Sequence, residues 1–201
     1  ASCAIVPARY GKACGRVRIA VLSDIHGNLE ALEAVLAEVD RLEVDLLYSL
    51  GDIVGYGPSP AACVEIIRRR AAVSLLGNHD AAVAGLTSLE DFNEFARSAV
   101  DWTAARLDEG QIEYLGTLPY THRAPELLLV HASPVEPERW HYIHGMVDIE
   151  KHFAAFAERL ARIRGVGIAI LGCDFVTGTA WIVAALAPSE AALLVLGLAQ
   201  V

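Results

Sequence analysis

The chain has 201 residues, of which 54% are hydrophobic and 20% charged, and its mean hydropathy is +0.39. This composition supports a large buried core and excludes global disorder. The net charge of −9 argues against a protein that binds nucleic acid through a basic face. The negative charge does not exclude a phosphorylated substrate, because bound metal ions reverse the local electrostatic field.

The N-terminal stretch Ala1–Gly15 mixes charged residues with cysteines and lacks the apolar core of a secretory signal. We expect a poorly ordered extension there, one domain over residues 16–201, and a cytoplasmic protein. The cysteines show neither a CxxC motif nor paired spacing, which indicates free thiols rather than a zinc site or a disulfide framework. They are Cys3, Cys14, Cys63 and Cys173.

Apolar runs and helical patterns alternate over residues 16–80. Apolar residues at helical spacing predict one helix capped by Asn28 and a second helix capped by Ser59, with Pro60 at its first position and its end near Arg70. The basic run that ends this second helix, Arg68-Arg69-Arg70, is interpreted as a solvated helix end, with a nucleic-acid-binding patch as the less favoured alternative. The predicted strands are Arg16–Ser23, Asp45–Leu50 and Ala72–Leu76.

Further along the chain, apolar residues between Phe92 and Leu107 predict one or two helices. The apolar stretch Gly165–Ala187 is interrupted by Asp174, so buried strands are favoured over a membrane-spanning helix. The other predicted segments are a turn-rich link over Pro119–Pro125, a strand over Leu127–Val130, a helix over Asp148–Arg164, and strands over Ala180–Leu186 and Ala192–Leu198.

The alternation of strands and helices predicts an α/β fold with a predominantly parallel sheet and helices on both faces. In such folds ligands bind beyond the carboxyl ends of the strands. Four predicted strands end in polar clusters of a kind that binds metals. The clusters are Asp24-Ile25-His26-Gly27-Asn28, Gly51–Pro58, Gly77–Asp80 and Val130–Pro134.

Each cluster has a plain structural alternative. Asp24 and His26 point the same way in extended chain and suit Mn, Fe or Zn, but a helix cap and a surface histidine are equally compatible. Asp52 lies among glycines, which is also typical of an ordinary strand-to-helix turn. Asn78 offers a carbonyl oxygen and His79 a proton donor, whereas His131 follows an apolar strand, where packed histidines are common.

Taken together and in this order, the clusters resemble the calcineurin-like metallophosphoesterase superfamily, and in particular its small single-domain prokaryotic branch. The resemblance rests on D-I-H-G-N-L-E-A-L, G-D-I-V-G-Y-G-P and G-N-H-D, and it covers about Val17 to Phe156. It implies a layered α/β fold flanked by helices, a site for two divalent metal ions (Mn, Fe, Zn or similar) and a small phosphorylated substrate. It implies no membrane or nucleic-acid partner, and it leaves the oligomeric state open.

The resemblance also implies a role for each residue. Asp24 and His26 match the ligands of one ion, Asn78 and His131 those of the other, and Asp52 the bridging carboxylate. His79 matches the histidine that acts as general acid or stabilises the phosphoryl group in the transition state. Asp80 is interpreted as a catalytic residue that helps to orient this imidazole. The implied reaction is attack of a metal-bridging hydroxide on a phosphomonoester or phosphodiester.

The family's last block, G-H-x-H, is missing, because the corresponding region reads Ile170-Leu171-Gly172-Cys173-Asp174 and no histidine follows His152. The C-terminal part is therefore expected to be atypical or truncated, whether through divergence, a frame change or substitution by another residue. The candidate substitutes are His141, His144, His152, Cys173 and Asp174.

Two functions from different classes follow. The first is a metal-dependent phosphoesterase, which the presence of His79 favours. The second is a non-catalytic protein-interaction scaffold on the same fold, which the missing block favours. The substrate is not indicated: Tyr56, Trp140 and Tyr142 are candidates to line a cleft, but aromatic packing is the favoured use of each.

Overall fold

A computed structural model describes residues 18–124 and 127–141, together with three later strands at 168–171, 182–184 and 192–195. The strands are β1 (Arg18–Leu22), β2 (Leu46–Ser49), β3 (Val73–Ser74), β4 (Thr121–Ala124), β5 (Leu127–Val130), β6 (Ile168–Leu171), β7 (Ile182–Ala184) and β8 (Ala192–Val195). The helices are α1 (Leu29–Arg41), α2 (Pro60–Arg70), α3 (Asn78–Val83), α4 (Glu94–Ala104) and α5 (Glu109–Gly116), with a 3₁₀ turn at Pro137–Arg139.

The described strands form two four-stranded sheets. The first has the order β3-β2-β1-β8 and is parallel throughout. The second has the order β4-β5-β6-β7, with β5 and β6 parallel and the outer pairs antiparallel. The predicted α/β class with mainly parallel pairing is confirmed, and the carboxyl ends of β1, β2 and β3 meet at one edge.

One predicted segment is wrong. The link Pro119–Pro125 contains strand β4, which pairs antiparallel with β5 from Thr121↔Val130 to Ala124↔Leu127. The prolines of this sequence made the segment resemble a turn, but Pro119 precedes the strand, where a missing N–H does not interrupt the ladder. The carbonyl of Pro119 also accepts a hydrogen bond of 2.9 Å from the Leu76 N–H, so it links β4 to the end of β3.

The starts of α1 and α2 lie where the sequence predicts them, but they are capped differently. The Asn28 side chain accepts a hydrogen bond of 3.1 Å from the Ala31 N–H and so caps α1. The predicted cap of α2 is wrong, because Ser59 precedes Pro60 but its hydroxyl makes no capping bond. Its backbone N–H instead donates to the carbonyl of Gly27 at 3.0 Å, which holds the start of α2 against the loop that follows β1.

The core lies between the first sheet and the helices. Leu32 from α1 and Ile67 from α2 are fully buried with Leu22, Ile25 and Ile53 from β1 and the loops that follow β1 and β2. Because the core includes residues from these loops as well as from the strands, it fixes the backbone beside the polar clusters. Within the described residues, no helix is both long and apolar enough to cross a membrane.

The strands expected at Ala180–Leu186 and Ala192–Leu198 are present as the shorter β7 and β8. Other expectations concern residues outside the described part of the chain. The expected extension Ala1–Gly15, the helix Asp148–Arg164 and the residues Tyr142, His144, His152, Cys173 and Asp174 are not among those described.

Candidate metal centre

The loops that follow β1, β2, β3 and β5 converge at one place. The His26 N–H donates to the carbonyl of Asp52 at 2.9 Å, and the His79 N–H donates to the Asp52 carboxylate at the same distance. All the residues singled out in the sequence are therefore gathered in one buried cluster, in which only Asp24 keeps appreciable exposure, at 15% of its side chain. These residues are Asp24, His26, Asp52, Asn78, His79, Asp80 and His131.

Two imidazoles are held in the same way from outside the cluster. Nδ1 of His26 lies 3.1 Å from the Val54 carbonyl, and Nδ1 of His131 lies 2.9 Å from the Leu50 carbonyl. Since a carbonyl oxygen only accepts, each Nδ1 carries the proton and donates it. Each Nε2 therefore faces inward with its lone pair, which is the arrangement that orients a metal-binding histidine.

The inward-facing atoms are all acceptors. Nε2 of His26 is 3.8 Å from Asp24 Oδ1 and 3.7 Å from Asp52 Oδ2. Nε2 of His131 is 3.7 Å from the same Asp52 oxygen and 3.3 Å from Asn78 Oδ1. Lone pairs repel one another unless a proton or a cation lies between them, so the donor set fits a divalent cation.

Asp52 is common to both halves of this cluster. Donor atoms of His26, Asp52 and His79 lie within 4.8 Å of one another, and so do those of Asp24, Asp52 and His131. The Asp52 carboxylate is thus the group that the two donor sets share.

Burial makes the metal-free cluster electrostatically unfavourable. It lowers the pKa of both His26 and His131, so these imidazoles are neutral and their contacts with Asp24 and Asp52 are not ion pairs. Burial, followed by the charges of Asp24 and Asp80, raises the pKa of Asp52 well above its usual range. A cation in the cluster would reverse the effect on Asp52, because it favours the charged carboxylate.

The backbone around the cluster is strained. Asp24, His26 and Asp52 have positive φ angles of 58°, 49° and 52°, a region that non-glycine residues rarely occupy. A Cβ on Gly77 would collide with the Asp52 carboxylate and its backbone nitrogen. A Cβ on Gly55, at φ +139°, would lie 2.6 Å from Nδ1 of His26. The glycines recognised in the sequence motifs are thus required for close approach of the loops.

His79 lies beside the cluster and is held differently from the other two histidines. Its side chain is nearly buried, and its Nδ1 has no hydrogen-bond partner among the described residues. Its ring contacts His26 edge to face at 4.9 Å. Burial and the neighbouring imidazoles lower its pKa to about 3.

Asp80 is fully buried, and its carboxylate bonds to the backbone of two loops. Oδ1 accepts from the Val54 N–H at 3.1 Å, and Oδ2 accepts from the Gly77 N–H at 3.2 Å. Burial raises the pKa of Asp80 to about 7. The carboxylate therefore ties the loop that carries Asp52 to the start of α3.

Sequence reasoning missed three neighbours of the cluster. The Ser23 hydroxyl bonds to the Asp24 carboxylate, the buried Thr103 hydroxyl donates to the Gly55 carbonyl at 2.9 Å, and the Phe92 ring contacts His79. A threonine on the apolar face of α4 was the only sequence signal for any of them. The candidate substitute ligand His141 pairs with Glu136 at 3.3 Å and is absent from both donor groups formed by the described residues.

The structure shows an α/β protein with a cluster of donor atoms that could hold metal ions, and comparison with known proteins identifies the family. Residues 17–168 match the model of the calcineurin-like phosphoesterases, so the chain belongs to this family. The family is hydrolytic and uses a binuclear metal centre.

Three relatives illustrate the similarity. The chain is 45% identical to a metallophosphoesterase from Sphaerobacter thermophilus whose crystal structure superposes with a TM-score of 0.60 over 71% of this chain and 57% of that one. It is 41% identical to an uncharacterized protein of Methanocaldococcus jannaschii over 62% of this chain and 53% of the relative. It is 29% identical to serine/threonine-protein phosphatase 2 of Escherichia coli K12 over 54% and 50%. The chain thus spans about half the length of the curated relatives that it matches.

Proposed function

We propose that this chain binds two divalent cations in the cluster and hydrolyses small phosphomonoesters or phosphodiesters. The observation that carries the proposal is the convergence of acceptors on Asp52. Two neutral imidazoles with outward-facing Nδ1–H groups direct their lone pairs at one Asp52 oxygen, each at 3.7 Å. A protein that does not bind cations has no evident use for this arrangement.

The cluster residues have different proposed roles according to their positions. Asp24 and His26 would hold one ion, Asn78 and His131 the other, and Asp52 both. Cations bound there would supply charge that neutralises the phosphate and lowers the pKa of a nearby water. Asp80 is a positioning residue, because its hydrogen bonds run to Val54 and Gly77 of the loops and not to the His79 imidazole.

His79 would protonate the oxygen of the leaving group. Its ring lies next to the donor cluster, and its pKa is lowered by burial in the metal-free protein. Substrate phosphate would bring negative charge to this imidazole and favour its protonated form. Such a general acid accounts for a rate factor of about 10²–10⁴.

The test compares hydrolysis of p-nitrophenyl phosphate and its bis ester with and without Mn²⁺. We expect Mn²⁺-dependent turnover, and we expect His79→Ala to lower kcat about 10²–10⁴-fold with the metal content unchanged. His122→Ala is the matched control, because His122 lies half-buried on β4 against Tyr48. Metal binding without hydrolysis of either ester would favour the scaffold alternative.

Metal binding has its own test. With Asp52 counted for both ions, each cation would have three protein ligands, which is enough for a catalytic zinc site but leaves open positions. We therefore propose weak, exchangeable binding. Isothermal titration with Mn²⁺ is expected to show it, and two tight sites would contradict it.

A further inference from the structure

The imidazole of His79 is enclosed by aromatic rings on more than one side. The Tyr56 ring lies 4.8 Å from it and the Phe92 ring 5.2 Å, measured between ring centroids. His79 itself is only 5% exposed, whereas Tyr56 and Phe92 each keep part of their surface in solvent. These two rings are thus neighbours of His79 that a bound molecule can still reach from solvent.

Hydrogen bonds hold the backbone of the segment that carries Phe92. The Arg97 side chain donates from Nε to the Phe92 carbonyl at 2.8 Å and from Nη2 to the Glu90 carbonyl at 2.7 Å. Asn93 then caps α4 by accepting from the Ala96 N–H at 2.9 Å. These bonds fix the turn before α4, so the position of Phe92 beside His79 is preorganised.

We propose that Tyr56 and Phe92 form the subsite for the leaving group, and that the substrates are phosphoesters with a flat aromatic leaving group. The inference rests on the function proposed above. As the oxygen of the attacking water bonds to phosphorus and the ester P–O bond breaks, the leaving oxygen takes a proton from His79. That oxygen must come within about 2.6–3.2 Å of the imidazole. The group attached to it then lies against the rings that contact His79.

The chemistry of the surroundings selects the class of leaving group. The aromatic side chains that the structure describes next to His79 suit stacked or edge-to-face contact with a planar ring. The nearby positive charge of Arg97 is engaged with two backbone carbonyls. Among the described residues, the rings beside His79 thus offer aromatic surface to the leaving group. The Arg97 guanidinium is already bonded to the two carbonyls and does not serve as a partner for a second charged group.

The first experiment measures kcat/KM for 2-naphthyl phosphate and ethyl phosphate in the wild type and in Phe92→Leu. Leucine keeps apolar volume but removes the flat ring. We expect a loss of about 3- to 10-fold for the naphthyl ester, a loss below about twofold for the ethyl ester, and unchanged Mn²⁺ affinity. Phe95→Leu is the control, because Phe95 lies nearby at the start of α4, is 83% exposed and should change neither value.

The second experiment measures binding of 2-naphthol and cyclohexanol to the Mn²⁺-loaded protein by calorimetry. Tighter binding of 2-naphthol, weakened in Phe92→Leu, is expected. Equal binding of both alcohols, or equal losses for both esters, overturns the subsite. If no ester is hydrolysed the proposed function fails, and the alcohol titration still decides whether the aromatic subsite exists.

Discussion

The aliphatic core under the first sheet and the cluster at its edge are built from the same loops but on opposite principles. Leu22, Ile25 and Ile53 are buried in regular contact with α1 and α2, and their burial favours folding by itself. One or two residues away, Asp24, His26 and Asp52 are gathered as acceptors on a backbone with positive φ. The comparison teaches that the core holds together a cluster that would not assemble on its own.

The largest expected effect comes from Asp52→Asn. The amide oxygen still accepts the His79 N–H, but the shared charge that holds the cations is lost. We expect kcat/KM to fall about 10³-fold. The Tm of the metal-free protein should rise, because a buried carboxylate beside Asp24 and Asp80 is removed. Asp101→Asn, on the exposed face of α4, is the control. A lowered metal-free Tm would contradict the comparison.

A core substitution should have the opposite pattern. Leu32→Ala removes a fully buried side chain of α1 and is expected to lower the free energy of unfolding by about 2–5 kcal/mol. Denaturant unfolding measures this, and Mn²⁺ affinity should stay unchanged in the folded variant. Leu86→Ala, at a leucine that is 52% exposed, should cost about 0.5 kcal/mol or less. Loss of metal affinity in Leu32→Ala alone would show that the core tunes the cluster as well as supporting it.

The pH dependence of metal binding sharpens the comparison further. Burial and neighbouring charges raise the pKa of Asp52, so at acidic pH its carboxyl is protonated and a cation must displace that proton. The raised pKa also means that this group stabilises the metal-free fold at low pH and loses that contribution as pH rises through its folded pKa.

Both effects have the same sign. The free energy by which Mn²⁺ stabilises the fold, seen as an increase in Tm, should be larger at pH 7.5 than at pH 5.5, by up to about 1.4 kcal/mol per pH unit for each proton displaced. Thermal unfolding with Mn²⁺ and with EDTA at the two pH values measures it. A stabilisation by Mn²⁺ that does not change with pH would exclude Asp52 as a ligand.

The smallest expected effect lies on the surface. Arg70 Nη2 and Asp40 Oδ1 form an ion pair of 2.5 Å between α2 and α1, with both side chains largely in solvent. Asp40→Asn is expected to change the free energy of unfolding by about 0–1 kcal/mol, less still at high salt, and to leave Mn²⁺ binding unaltered. A change well beyond this range would show that the interface of α1 and α2 depends on charge.

Much of the fold was predictable because, in the first half of the chain, the strands and helices are marked by signals within a few residues of each element. Alternation of apolar strands and helices, the Asn28 cap and Pro60 at a helix start are short-range signals, and each lies where the sequence puts it. Strand β4 was missed because its pairing with β5 is decided across the ladder, while its flanking prolines signal a turn. The cluster residues were found from their order along the chain; their assigned roles stay predictions.

The sequence by itself determined the family, the α/β class and which oxygen and nitrogen donors follow each strand, since these depend on residue identity and local spacing. Only the tertiary structure decided that both Nδ1 atoms bond to backbone carbonyls, that Asp80 bonds to two loops and that Phe92 lies against His79. Apart from the local Asp80–Gly77 bond, which spans three positions, these contacts join residues 13 to 81 positions apart. Such contacts exist only after the core has folded, because nothing in the local chain holds those groups near one another.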